Sequence, residues 1–484
     1  MQLAERHIIK STENRFVEID GLAFKSKNLY NVANYVIRQS FVYGWGYINY
    51  NEMNRLMKSH QAYKDLPAKV SQQILMILDK NWQAFFEAVK ADNIEQTKFT
   101  GSPKLPKYKD KVKGRNLVYT IQAISSKQLK KGIIHLSGTN ILIKTLVKPE
   151  QICQVRLVPK CDSYVIEVIY NACAEPCDYA QGKLRRSKPE STDENQKELV
   201  ASIDLGLNNL VALTSNQPGF VPLLINGRPL KSINQFYNKR KTDLQSQLKG
   251  SRKTSCRIQR LTRCRNQKIE NYLHQASRLI INLLIERNIG TLVIGKNLEW
   301  KNEINLGKQT NQNFVTIPHA RFIEMLKYKA ELVGIKVIVQ EESYTSQSNF
   351  LNLDPIPVYG SIDALDVTFS GQRIKRGLYK KSCGQLINAD VNGSYNIMRK
   401  AIPNALCNGI ESCVVQPRRV NPLEVKAKGE GCNASHGTVI DDYTFTSYLC
   451  PVVQGCVTIV YSFGKSSRNF KLRQSWNCFI NTLG

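Results

Sequence analysis

Acidic residues are scarce in this chain. Against 68 Lys and Arg it carries 39 Asp and Glu over 484 residues, which leaves a formal net charge of +29. An excess of that size goes beyond what solubility needs, and it concentrates a polyanion and drives counterion release on binding. Long apolar runs are also missing. None approaches the roughly 20 residues of a membrane span, and the opening MQLAERHIIKSTENRF has no secretory apolar region. A membrane partner is therefore excluded, and a soluble chain that stays in the cell is expected. The third absence is of paired cysteines: the thirteen include no CxxC pair, their number is odd, and six fall after residue 400. Cys173 and Cys177 come closest to ligand spacing but have no second pair to complete four ligands, so reduced thiols are expected rather than a disulfide framework or a structural zinc.

With 42% hydrophobic residues the chain can bury real cores, and its length suits two to four domains. The alternation in RFVEIDGL, within residues 1–22, suggests a strand. From 25 to 96 apolar residues recur at three- and four-residue spacing, the pattern of a helical insert. Strand-like alternation then runs through GIIHLSG, NILIKTL, QVRLVPK and YVIEVIY. Residues 1–24 and 97–177 together are expected to form a small β-barrel around the insert. The polar stretch 178–199 reads as a linker. Residues 200–403 alternate strand and helix, with a helical hairpin over 231–289, and 404–484 reads as an extension, poorly ordered after 420. The fold class is thus multidomain, α+β followed by α/β.

Two basic regions suit nucleic acid. Between Lys98 and Lys131 ten basic residues face one acid, Asp110, and are interleaved with aromatic residues, Gly and Pro. Lys104, Lys107, Lys109, Lys111, Lys113 and Arg115 are the candidate phosphate contacts there. On the hairpin the candidates are Lys239, Arg240 and Lys241, within a basic set that also includes Arg263 and Arg265, and a further cluster holds Arg373 and Arg376. His274, on the more apolar part of the hairpin, reads as a packing residue.

The chemistry is carried by IDLGLNNLVAL at 203–213 and INADVNGSYNI at 387–397. Each sets an aspartate, Asp204 or Asp390, beside a short apolar segment, and the second lies in a helix-starting context. Carboxylates so placed are the ingredients of a ribonuclease-H-like centre for phosphodiester chemistry. Clustered without a cation they would repel one another and raise their own pKa values, so the arrangement implies divalent metal.

On these residues, with SYTSQ at 343–347, the chain resembles the TnpB/OrfB proteins of insertion sequences over about residues 1–420. The resemblance implies a RuvC-type nuclease domain after the barrel and insert, two Mg²⁺ ions with Mn²⁺ as a substitute, a guide RNA from the transposon end, and double-stranded DNA cleaved beside a short motif. It also implies a cytoplasmic, nucleoid-associated prokaryotic protein. Asp204 matches the first RuvC aspartate and Asp390 the last.

Two departures stand out. Gly295 occupies the place of the middle glutamate, at the end of TLVIGKN. The next strand ends in Glu341 and Glu342, at the same sheet edge, and either can serve as a relocated third ligand, with Glu299 and Glu303 as further candidates. The zinc ribbon usual in the family is degenerate over 348–386: Asn349, Asn352 and Lys380 stand at ligand positions and Cys383 alone remains, so that segment must fold by packing or on nucleic acid. The reading is a guided DNA endonuclease. Its rivals are a guided binding protein without cleavage and a strand-joining transposase.

Overall fold

A computed structural model of the chain describes residues 1–94, 101–110, 116–172, 199–296, 317–358, 360, 367–375, 377–406 and 413–424. Lys111, Lys113, Arg115, Cys173, Cys177, Glu299, Glu303, Arg376, nearly all of the 178–199 stretch and everything after 424 lie outside the described residues.

Strand β1 (Gln2–Lys10) leads at once into a long helix, α1 (Asn14–Val42). The strand expected at RFVEIDGL is therefore helical. Ile19, Leu22, Ala23, Ser26, Leu29, Tyr30, Ala33 and Ile37 are buried on one face at three- and four-residue spacing, so the 3.6-residue period wins over the local alternation. Helices α2 (Tyr50–Met57) and α3 (Gln61–Lys64) lead to α4 (Ala68–Ile94), whose Trp82 is fully buried and donates from Nε1 to Asn34 Oδ1 of α1 at 3.0 Å. Asn49 caps α2 in a box with Glu52.

Strand β2 (Leu117–Thr120), helix α5 (Ser126–Leu129) and strands β3 (Ile133–His135), β4 (Leu142–Lys144), β5 (Ile152–Lys160) and β6 (Ser163–Asn171) complete this half. Hydrogen bonding arranges them as an open antiparallel sheet in the order β1-β6-β5-β2, beside a separate β3–β4 hairpin. Interior strand β6 is buried along almost its whole length. Its Glu167 is offset by Arg6 of β1 at 2.8 Å.

The second half is built on a six-stranded sheet. Strands β7 (Val200–Leu205), β8 (Asn209–Ser215) and β9 (Leu223–Asn226) form an antiparallel meander. The hairpin α6 (Arg228–Ser246) and α7 (Cys256–Glu286) follows, then strand β10 (Thr291–Gly295), helix α8 (His319–Glu331) and strand β11 (Lys336–Gln340). Strands β10 and β11 add in parallel on the far side of β7, giving the order β11-β10-β7-β8-β9, and β10 is buried at every residue, as a strand covered on both faces requires. After the three-stranded sheet β12 (Gly371–Lys375), β13 (Leu378–Lys381) and β14 (Leu386–Asn388), helix α9 (Ala389–Ala401) lies across β7 and β8. The extension expected beyond residue 403 contributes a strand as well: β15 (Arg418–Val420) pairs parallel to β9.

Strand alternation sorts the sheet into two faces. Ala201, Ile203 and Leu205 of β7, with Leu292 and Ile294 of β10, pack in a core with Leu273, Ile280 and Leu284 of α7 and with α8. Val200 and Val293 turn the other way, into a core with Val391, Tyr395 and Ile397 of α9. Positions 204 and 295 therefore belong to the α9 face.

The described residues of the 348–386 segment are held by packing contacts. Asp354 Oδ2 accepts from the backbone N–H groups of Asn349 at 3.0 Å and Ser370 at 2.8 Å. Phe350 stacks on Tyr395 of α9 with centroids 4.4 Å apart, and Tyr379 donates to the Gln347 carbonyl at 2.7 Å. Cys383 is exposed.

His274 is buried in the α7–α8 contact, 3.6 Å from Glu270, while Lys329 of α8 donates to its carbonyl at 2.8 Å and to Ser277 Oγ at 2.7 Å. Burial lowers its pKa to about 4, against the partial support of Glu270. A histidine held neutral by the fold but protonated in the unfolded chain contributes stability above its unfolded pKa, which is lost as pH falls from about 6.5 to about 4. The loss is expected to reach about 3 kcal/mol. Denaturant titrations of the parent protein and His274→Gln across that window check it: the variant's stability should fall less steeply, and parallel profiles would refute the assignment.

Candidate functional site

Asp204 is on β7 at the α9 face, and Asp390 opens α9 as its second helical residue. Asn388 ends β14 and caps the helix, its Oδ1 accepting from Asp390 N at 3.0 Å and Val391 N at 3.1 Å. A carboxylate in the first turn is favoured by the unpaired N–H groups there. The approach of α9 to β7 is set by a buried hydroxyl network. Ser202 Oγ meets Thr214 Oγ1 at 2.8 Å and donates to the Ser394 carbonyl at 2.6 Å, and Ser394 Oγ returns a bond to the Ser202 carbonyl at 3.0 Å. Gly393 permits this closeness: a Cβ there would lie 2.9 Å from Asp204 Oδ2.

Glu342 is the third carboxylate of the same cavity. With Asp204, Asp390, Asn209, Arg228, Arg373 and Arg419 it lines a hollow of about 640 Å³. The acid reaches the site from a turn beyond β11, where Thr345 N–H donates to the Glu342 carbonyl at 3.1 Å. Its side chain fills the space above Gly295. A Cβ built on Gly295 would fall on Glu342 Oε1, 2.8 Å from its Cγ and 2.6 Å from Ile397 Cδ1. The missing side chain of β10 and the extra carboxylate after β11 thus occupy one place.

Glu341 does not share that place. Its Oε2 takes the Lys400 ammonium at 2.6 Å, and its Oε1 accepts from Ser343 N at 2.6 Å and from the Ser343 hydroxyl. Burial works to raise its pKa, but Lys400 and the Ser343 donors outweigh burial and hold it below the usual glutamate range. Glu341, expected beside Glu342 as a candidate third ligand, is thus paired with a lysine of α9 and does not line the cavity.

Asp204 and Glu342 have the opposite character. Burial raises the Asp204 pKa well above the ordinary range, the charges of Glu342 and Asp390 raise it further, and Arg373 opposes them. Burial also pushes Glu342 up. Asp390 is held by Asn209 Nδ2 at 2.7 Å on Oδ2 and by Arg373 at 3.5 Å on Oδ1. No three His, Cys, Asp or Glu side chains among the described residues are grouped to hold an ion as they stand. The donor set itself suits a hard divalent cation, being three carboxylates whose repulsion such an ion relieves, next to glycines that leave room for them.

The remaining candidates are spread over the surface. Lys104, Lys107 and Lys109 line a groove of 440 Å³ against α1 and α4, where Asn31 clamps the Lys109 backbone on both sides at 2.8 and 2.9 Å. The Lys109 ammonium sits 4.7 Å over the Tyr30 ring, and burial lowers its pKa. Lys239 and Arg240 are exposed on α6, and Lys241 lies 5.8 Å over Tyr237. Arg263 and Arg265 leave the expected basic face: Arg263 grips Asp162 at 2.6 and 3.0 Å, and Arg265 donates to Asn234 at 2.8 Å. Asn209 and Gly393 were hidden in the sequence although both lie inside the two aspartate motifs, because neither residue type marks chemistry by itself. Arg228 and Arg419 carried no local signal.

The family model OrfB of IS605, described as "Probable transposase", matches residues 183–301, and the Cas12f1-like TNB domain model matches residues 319–397. A TnpB-like protein, ORF457 of Acidianus two-tailed virus, is 24% identical over 456 residues, 86% of this chain and 92% of that protein. Together these matches support a TnpB/OrfB family member related to the type V effectors. Its relatives include the CRISPR-associated endodeoxyribonuclease Cas12f1 of Sulfoacidibacillus thermotolerans, 33% identical over 132 residues, which is 27% of this chain and 26% of that protein. A cryo-EM structure of a Cas12f1–sgRNA–target DNA complex is similar to 80% of this chain over 82% of its own, at 13% identity and a TM-score of 0.46. No helix among the described residues is long and apolar enough to cross a membrane.

Proposed function

We propose that the chain is an RNA-guided DNA endonuclease of mobile-element origin, with Asp204, Glu342 and Asp390 as its hydrolytic centre in a ribonuclease-H-like domain. The observation that carries the reading is Glu342 standing in the space that Gly295 leaves, which restores a third carboxylate to the α9 face. The sheet order, with an antiparallel meander continued by two parallel strands, supports the domain assignment. The curated relatives, a TnpB-like protein and an endodeoxyribonuclease, support the activity.

Divalent cations held by these carboxylates would supply Lewis-acid polarisation of the phosphate and a lowered pKa for the attacking water. The chain's own residues do the positioning. Asn209 fixes the Asp390 carboxylate, and Arg373 meets it from β12. Arg228 and Arg419, on the same cavity, are placed to take the flanking phosphates. Guide RNA pairing would carry sequence choice, with Lys104, Lys107, Lys109, Lys239, Arg240 and Lys241 on backbones.

The test is cleavage of a plasmid library by the protein co-expressed with the RNA flanking its gene, in Mg²⁺ and in EDTA, beside Asp204→Ala. Cutting that needs Mg²⁺ and Asp204 is expected. RNA-dependent binding without cutting would overturn the nuclease reading in favour of a guided binder, and joined rather than cut DNA would mark a transposase.

A further inference from the structure

A second cavity, of 420 Å³, lies between the two halves of the chain, remote from the carboxylates in its lining. Its walls come from the β5–β6 turn, from α7 and from the start of α8. Cations dominate them: Lys160, Arg263, Arg265 and Arg321 line the space, against the single acid Glu270. Arg263 is neutralised by Asp162 at its back, and Arg321 pairs through Nη2 with Glu270.

Two features show that the pairing is incomplete. Arg321 Nε is buried and has no hydrogen-bond acceptor among the described residues. Lys160 is largely buried too, and its environment opposes its charge: burial first, then Arg6 and Arg321, lower its pKa to about 8 despite Glu167 and Glu270. A buried ammonium with that environment gains from an added anion. Helix α8 begins at the same wall, where Pro318 caps it without a side-chain acceptor, so the partial positive charge of the first turn adds to the two side chains.

We propose that this cavity is a phosphate-binding site, in which Lys160, Arg321 and the first turn of α8 receive one tetrahedral phosphate oxyanion. The oxyanion would bridge the two halves of the molecule, tying the β5–β6 turn to α8 beside the Arg263–Asp162 contact. Its chemistry is that of a polynucleotide phosphodiester or of free inorganic phosphate. The site is independent of the nuclease reading, since it uses none of the three carboxylates.

The experiment uses the full chain and Lys160→Gln, which keeps the aliphatic stem. Thermal melting is compared in inorganic phosphate and in chloride at matched ionic strength, and single-stranded oligonucleotide binding is followed against salt. Phosphate is expected to raise the melting temperature of the parent and not of Lys160→Gln, whose melting in chloride should be no lower than the parent's. If the phosphate belongs to a polynucleotide, the salt slope of oligonucleotide binding falls by about one contact, a change of roughly 0.7 for a single strand. An unchanged slope alongside a lost phosphate response assigns the site to the free anion. Equal phosphate stabilisation and equal slopes in parent and variant would overturn the proposal, and an Asp204→Ala protein should retain the phosphate response whatever its cleavage activity.

Discussion

Glu342→Gln is expected to lower Mg²⁺-dependent DNA cleavage by at least about 10³-fold, as removal of a member of a catalytic unit does, while Glu341→Gln leaves it within severalfold. The two residues are adjacent, of one type and at one sheet edge, so the contrast rests wholly on their surroundings. Glu342 lies in the cavity with Asp204 and Asp390, and Glu341 is spent on Lys400 and Ser343. Stability should move oppositely. Glu341→Gln removes the partner of a lysine that is 8% exposed, a loss of about 1 kcal/mol because the glutamate itself is 36% exposed and partly screened. Glu342→Gln removes a buried carboxylate whose pKa the fold raises. Such a group stabilises fully below its unfolded pKa and loses that contribution as pH rises through the folded value. In EDTA near pH 8 the variant should therefore be the more stable protein, by on the order of 1 kcal/mol. Cleavage kinetics and denaturant titrations of both variants decide the matter, and a dead Glu341→Gln beside an active Glu342→Gln would reverse the assignment.

The two aspartates were legible because each belongs to an apolar run of clear period. Strand alternation puts position 204 on one face, and the Asn388 to Asp390 sequence announces a capped helix. The choice between Glu341 and Glu342 was not legible, since both lie just past the last strand residue, where the period of two no longer applies and the turn at Thr345 decides. RFVEIDGL misled for a related reason: seven or eight residues can satisfy both periods, and only the longer run through Ile37 shows which face is buried. Strand β15, three residues with two arginines, exists because β9 offers a free edge, which is a property of the tertiary fold and not of RRV. The packed insert around Asp354 was half visible. Loss of the cysteines was plain, but a carboxylate joining the Asn349 and Ser370 amides is a contact across 16 residues that no local pattern encodes.

Moving the acid back to β10 should restore the centre that its loss destroys. Gly295→Glu alone is expected to fail, because its Cβ would fall on the buried Glu342 carboxylate, whereas Ile397 Cδ1, 2.6 Å away, is the end of a side chain that can turn aside. Overpacking of this kind costs about 1–3 kcal/mol, and a displaced Glu342 should cost about 10²-fold in cleavage. Glu342→Gly alone leaves the place empty and the activity at background. The double variant Gly295→Glu with Glu342→Gly puts a single carboxylate in the same space from the neighbouring parallel strand, where positions 295 and 340 are paired. Its cleavage should return to within about tenfold of the parent, where independent effects of about 10²-fold and 10³-fold would predict a loss of about 10⁵-fold, and thus show a coupling of roughly 5 kcal/mol. Nothing in the backbone opposes the exchange, since Gly295 is not among the glycines with positive φ. Independent effects of the two substitutions, with a double variant as inactive as their product predicts, would mean that Glu342 fills the space without serving the chemistry.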